Sequence, residues 1–585
     1  MAANDIIVLN SILEQKKIET ANSWPDDDFF ELFTFEQRLK EYTPSDEQLQ
    51  FGKIGGGDDG GIDGFFTFVN DELIEEEPDK DVFKKNSKIE LFVIQSKRSS
   101  SFEEKAVDKF IATSQDIFDL QKDISEINKF YNAGLIEKIS IFRKIYLKMS
   151  LHHPTLKITY VYATKGDKAN INPKIHNKAK TLEKTICECF TGATTCVEFM
   201  GVRELLEASR QEKSYTLQLK FLENYISRDA YSYVVLSSIT DYYDFVTDES
   251  RKLRKHIFEA NVRDYQGNNV EVNKDIQKTL ESDNKLDLDF WWLNNGVTIL
   301  ASKASIVGKT ITLDDVEIVN GLQTTHTIFN YLKAKNVEKD ERRSILIKIV
   351  VTTEPETRDS VIKATNFQTP IPVASLKATE DIQRDIESYF YNKDWFYDRR
   401  KNYYKNNGKP MDRIISIPYL AQAVMAIVLG KPDISRAQPS SIIKTEQNYK
   451  SIFKSSFKMD TYLFSAKTMK QVESFIRTTV SNQSKQKNGN QWFQTSSLRI
   501  LSFHLAMLVI VKMLGKTDYK AIDVESLLQV DIKEEILNQT LSEIIELTNE
   551  YLKSKPSLSI NTIAKQKDFV TYLRKNVKFS TNASC

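Results

Sequence analysis

Between Gly55 and Gly64 the chain gathers six of its 19 glycines around three aspartates, in the stretch GGGDDGGIDG. Glycine forfeits backbone entropy in helices and strands alike, so such a cluster belongs to tight turns and close backbone approach. It feeds directly into the apolar run FFTFVN, and Asp63 stands where turn becomes strand. A second run, IELFVIQSK (Ile89–Lys97), is mostly apolar and ends polar, as a buried strand does where it emerges into a site. Strand side chains alternate, so Gln95 and Lys97 share one face and Ser96 takes the other. The acidic connection DELIEEEPDKDVFKKNSK lets the two runs pair as a hairpin. That pairing brings Asp63 toward Gln95 and Lys97.

The chain has 585 residues, too many for one hydrophobic core, and its pattern divides into three blocks. Residues 1–211 alternate helical and strand-like runs, among them DDDFFELFTFEQRLKEY, FEEKAVDKFIATSQDIFDLQKDI and LKITYVYAT, and read as an α/β domain with a small mixed sheet. Residues 212–480 read as a mixed α+β domain containing DFWWLNNGVTILAS, KTITLDDVEIV, SILIKIVVTT and a polar turn at KATNFQTPIP. Residues 481–585 are mostly helical, entered through the polar linker SNQSKQKNGNQ.

Several classes are excluded. The most apolar stretch, Leu498–Leu514, contains Arg499, His504 and Lys512 and is shorter than a membrane span, so it reads as a buried helix and no membrane partner is expected. The N-terminus carries an early acid and no small-residue cleavage site, and there are four cysteines, which fits a reducing, cytoplasmic setting. Cys187, Cys189 and Cys196 lack the spacing and fourth ligand of a zinc site, and no Walker loop is present.

Net charge is zero, from 81 basic and 81 acidic residues, but the charges are segregated. Residues 21–90 hold 19 acids and 7 bases; residues 391–500 hold 19 bases and 7 acids, interleaved with Trp395, Tyr397, Tyr403, Tyr404, Tyr449, Phe453, Tyr462 and Trp492. Bases among aromatics suit phosphate contact with base stacking, with Arg399 and Arg400 as contacts. The other reading is a positive region that docks on the acidic one.

The ordered set Phe30-Glu31, Gly-rich turn, Asp63, Gln95-x-Lys97 resembles the Mrr-like branch of the PD-(D/E)XK nucleases. The resemblance implies a restriction-endonuclease-like mixed sheet flanked by helices and Mg²⁺- or Mn²⁺-dependent endonuclease chemistry. Asp63, Gln95 and Glu31 would hold the metal, and Lys97 would orient or deprotonate the attacking water. Gln95 replaces a more usual glutamate, so another acid must compensate. Glu31 is preferred to Glu36, which lies about 140° away around the helix.

The middle of the chain resembles the AIPR family, named for abortive infection and phage resistance, through NVRDYQG, VNKDIQKTL, FWWLNNGVTI, IVNGLQTTHTI and KATNFQTPI. That resemblance implies anti-phage defence. In the same segments Asn294, Asn295, Asn320, Gln323, Asn366 and Gln368, with Arg263 for phosphate, form a candidate pocket for nucleic acid or a ligand. The alternative for these amides is ordinary turn and backbone satisfaction. The expectation is a defence nuclease acting on DNA in preference to RNA. A non-catalytic sensor or scaffold with a lapsed nuclease fold is the rival, and a phage-derived trigger and a homo-oligomer are left open.

Overall fold

The computed structural model describes residues 2–19, 24–77, 87–210, 216–228, 232–249, 251–258, 271–281, 289–334, 341–366, 381–399, 403–406, 408–439, 441–485, 495–556 and 558–579. They form two compact units: residues 1–40, 44–210 and 382–585 make the first, and residues 41–43 and 211–381 the second. The 382–585 region, expected to fall partly in a separate helical block, packs with the N-terminal block in one unit.

The first unit opens with helices α1 (Ala2–Glu19), α2 (Asp26–Arg38) and α3 (Asp46–Gly52), then strands β1 (Gly64–Val69), β2 (Glu72–Leu73) and β3 (Lys88–Lys97). Helices α4 (Glu104–Ile117), α5 (Ile124–Ile127) and α6 (Ala133–Met149) precede β4 (Thr155–Thr164), α7 (Pro173–Cys189), β5 (Thr194–Met200) and α8 (Val202–Arg210). Sheet order is β2-β1-β3-β4-β5. β1 runs antiparallel to β3, while β3, β4 and β5 are mutually parallel. The parallel strands β3 and β4 are buried almost end to end, as strands covered on both faces must be. Leu91 and Val93 join a core with Phe110 of α4 and Phe142 of α6, while Phe92 on the opposite face lies under the Arg38 guanidinium of α2, 4.7 Å away.

In the second unit β6 (Leu217–Lys220), β7 (Ile226–Arg228), β8 (Ser232–Ser238), α9 (Ile239–Val246) and α10 (Glu271–Glu281) lead to β9 (Val297–Ala301), β10 (Lys303–Val307), β11 (Thr310–Asp314) and β12 (Glu317–Asn320). Then come α11 (Leu322–Ala334), β13 (Ser344–Val351) and α12 (Pro355–Asn366). The sheet β12-β9-β13-β8-β7 is mixed, and β10-β11-β6 forms a smaller one. Of the polar turn expected at KATNFQTPIP, Lys363–Asn366 continue α12, and residues 367–372 lie outside the described residues.

The C-terminal part of the first unit is helical. Met459–Lys485 is one long helix, so the first five residues of the expected linker are helical, and the rest of it lies outside the described residues. The apolar stretch around His504 forms helices Thr495–Ile500 and Ser502–Leu514, the second buried nearly throughout. Its Lys512 is paired with Glu543 at 2.6 Å. No helix among the described residues is long and apolar enough to cross a membrane.

In the basic, aromatic region most of the aromatics named for stacking are core residues. Tyr397, Tyr404, Tyr449, Phe453 and Tyr462 are buried and pack on one another or on core neighbours, so their rings fill a core and offer no stacking surface. The two oppositely charged regions meet within this unit. Lys405 pairs with Glu36 at 2.9 Å, and the Ser441 N–H donates to Glu76 at 2.9 Å.

Candidate functional site

The register of β1 on β3 sets Gly64 opposite Ile94, which carries Asp63 beside Gln95 at the strand ends. The Asp63 N–H donates to the Ile94 carbonyl at 2.8 Å, and Asp63 Oδ2 accepts from the Ser96 N–H at 2.7 Å. The glycine cluster permits this approach. Gly61 has φ +80°, and a Cβ there would lie 2.9 Å from the Lys109 side chain and 3.3 Å from Gln95 Nε2.

Gln95 is 3% exposed, and its Oε1 has no hydrogen-bond partner. A buried amide oxygen left this way costs roughly 1–3 kcal/mol, so this acceptor asks for a ligand. Burial first, and then the nearby Glu31 charge, hold the Asp63 carboxyl well above the usual carboxylate range, against the pull of the Ser96 N–H. Burial also raises Glu31, opposed by Lys53. Lys97, on the face shared with Gln95, is half-buried and makes no ion pair among the described residues.

Three residues at this site went unnoticed in the sequence. Lys53, two positions before the glycine cluster, donates to Glu31 and lies 2.6 Å from Asp28. The Arg499 charge also acts on Asp28 and Glu31. The only local signals were the lysine just ahead of Gly55 and the acidic start of α2; Arg499 arrives from over 400 residues away. Glu36 is not part of the site. It is paired with Lys405 and Lys16, which hold its carboxyl down at about 2 despite burial.

Among the described residues no three His, Cys, Asp or Glu side chains converge as a metal cluster. The donor set is therefore two carboxylates, Asp63 and Glu31, with the Gln95 amide. Its chemistry fits a hard cation, which would give Gln95 Oε1 a partner and favour ionised forms of both acids.

The second candidate site is less open to a ligand. Asn294 Oδ1 accepts from the Gly296 N–H at 3.0 Å and from the Thr324 hydroxyl at 3.2 Å. Asn320 donates to the Thr365 carbonyl at 3.0 Å and accepts from the Gly321 N–H at 2.7 Å. These two amides are engaged in turn and backbone bonds. Asn295 is exposed, and Gln323 lies in the first turn of α11. Arg399 is buried and paired with Glu387 at 2.7 Å, which leaves it no free face for phosphate. Arg263, Gln368 and Arg400, and the side chain of Asn366, lie outside the described residues.

The AIPR protein family matches residues 258–579, more than half of the chain. The chain belongs to the AIPR family. That membership points to abortive-infection defence against phage. The AIPR match begins in the second unit and continues through the C-terminal helices; it leaves the Asp63–Gln95 strands outside it. No curated protein and no solved structure matches this AIPR chain.

Proposed function

We propose that this AIPR protein acts in anti-phage defence as a metal-dependent nuclease that hydrolyses phosphodiester bonds, in DNA in preference to RNA. The observation that carries the reading is the β1–β3 register, which sets Asp63 against Gln95-x-Lys97 and leaves a buried amide oxygen unsatisfied beside two elevated carboxyls. A β1–β3 antiparallel pair followed by parallel β4, with a glutamate on the preceding helix, is also the arrangement expected of a restriction-endonuclease-like sheet.

Asp63, Glu31 and Gln95 would hold Mg²⁺ or Mn²⁺, and the bound cation supplies Lewis-acid polarisation of a phosphoryl oxygen. Lys97 presents its ammonium beside the strand ends, where it orients a water molecule and counters charge growing on the phosphate. Lys53 pairs with both Glu31 and Asp28, so its ammonium is shared between two acids at the edge of the site.

One observation favours a second reading, a non-catalytic sensor or scaffold. Glu31 already has a counter-ion in Lys53, and Gln95 contributes no charge, so Asp63 alone among the donors lacks a neutralising partner. Phage plating on cells expressing Lys97→Ala separates the two. The nuclease reading expects protection to vanish while the protein accumulates normally; the scaffold reading expects protection to persist.

A further inference from the structure

Inside the first unit, the N-terminal region and the C-terminal helices line a half-open pocket of about 210 Å³. Lys53 and Asp28 close it on the side of the candidate metal site, and Trp24, Lys470, Arg477 and Arg499 line its other walls. Six bases and five acids line it, Glu47 and Glu75 among the acids. Asp28 is taken by Lys53 at 2.6 Å, and Glu137 by Arg436 and by Lys138 at 3.0 Å. Glu473 accepts from the Tyr419 hydroxyl at 2.9 Å; burial raises its carboxyl, and the Lys470 and Arg477 charges pull against that.

Three half-buried cations, Lys470, Arg477 and Arg499, make no ion pair among the described residues. Arg477 lies over the Trp24 ring at 3.9 Å and Lys470 over the Tyr419 ring at 4.8 Å. Arg499 presses on the glycine cluster, where a Cβ at Gly55 would stand 2.9 Å from its Nη1. Gly55 is thus the residue that lets this guanidinium enter. No carboxylate among the described residues lies within ion-pair distance of any of the three. Partly desolvated cations that repel one another are costly to keep, and an anion is what would offset the cost. Two guanidinium groups with an aromatic ring suit a phosphate in particular, since the planar fork matches its oxygens. The volume is below the roughly 300–1,000 Å³ of sites for drug-sized ligands, which favours a compact molecule over a nucleic-acid strand.

We propose that this cavity binds a small phosphorylated ligand, a mononucleotide or pyrophosphate, through Lys470, Arg477 and Arg499, without using Asp63, Gln95 or Lys97. The site needs no divalent cation and no cleavage activity. It gives the C-terminal helices a means of reporting a soluble metabolite to the domain that carries Asp63.

The test is isothermal titration of the full chain in EDTA with pyrophosphate, AMP, ADP and a single-stranded oligonucleotide. The expected result is saturable binding of pyrophosphate or a mononucleotide, weakened at least tenfold in Arg477→Gln/Arg499→Gln. Lys470→Gln, a milder change, is expected to weaken it several-fold should the double variant fold poorly. Trp24 is the one tryptophan lining the cavity, so binding should also shift emission in the wild type and not in Trp24→Phe. Lys97→Ala should bind as the wild type does, which keeps this result independent of the nuclease reading. Absence of saturable binding at millimolar concentrations, affinity unchanged in the folded variants, or binding of the oligonucleotide alone would overturn the proposal.

Discussion

Asp63→Asn should make the metal-free protein more stable. Burial and the Glu31 charge raise the Asp63 carboxyl well above its ordinary 3.8, so the folded chain binds this proton more tightly than the unfolded chain. Between the unfolded and folded values stability therefore falls as pH rises, and above the folded value the whole penalty is present. Each pH unit of elevation corresponds to about 1.4 kcal/mol. Asparagine keeps an oxygen for the Ser96 N–H, now 2.7 Å from Asp63 Oδ2, and discards the charge. At pH 8 in EDTA the variant is expected to melt at a higher temperature than the wild type. The difference between variant and wild type should shrink as pH drops toward 5. A variant less stable than wild type at every pH, or a gap that does not change with pH, would refute the reasoning that Asp63 is a strained, desolvated acid awaiting a cation.

Other substitutions probe the frame that holds the site. Glu137→Gln leaves Lys138 and Arg436 buried without their counter-charge and should cost about 3–5 kcal/mol in urea denaturation. Because its neighbours hold Glu137 below its ordinary 4.5, its contribution is present at neutral pH and should fade as acid takes the pH below that value. Arg399→Ala leaves half-buried Glu387 with only the Tyr404 hydroxyl at 3.1 Å among the described residues and should lower stability, with no specific loss of nucleic-acid affinity in filter binding while the protein remains folded. Gly64→Ala places a Cβ 2.7 Å from the Phe35 ring and should destabilise by about 1–3 kcal/mol, read as a lower Tm.

What the sequence disclosed, and what it hid, follows from where the partners lie. β1 and β3 were legible because their burial is written in continuous apolar runs, and the hairpin between them needed only the alternation of a strand to place Asp63 by Gln95. In the basic aromatic region, composition could not choose between stacking and docking on the acidic region, because composition is local while partnership is not. Tyr449, Phe453 and Tyr462 pack as a core, and Lys405 finds Glu36 more than 360 residues earlier. No window of sequence contains both members of such a pair. Arg499 escaped for the same reason. Asn294 and Asn320 illustrate the reverse error: turn-forming amides that looked available are occupied by the backbone of their own turns.

The most direct test is cleavage of plasmid DNA and total RNA by the purified chain with Mg²⁺ or Mn²⁺, beside an EDTA control and Lys97→Ala. The account predicts metal-dependent cutting, stronger on DNA, that EDTA and Lys97→Ala both abolish while the variant keeps the wild-type Tm. Cutting that survives in Lys97→Ala, or protein that protects cells from phage yet cuts neither substrate even with infected lysate added, would contradict it.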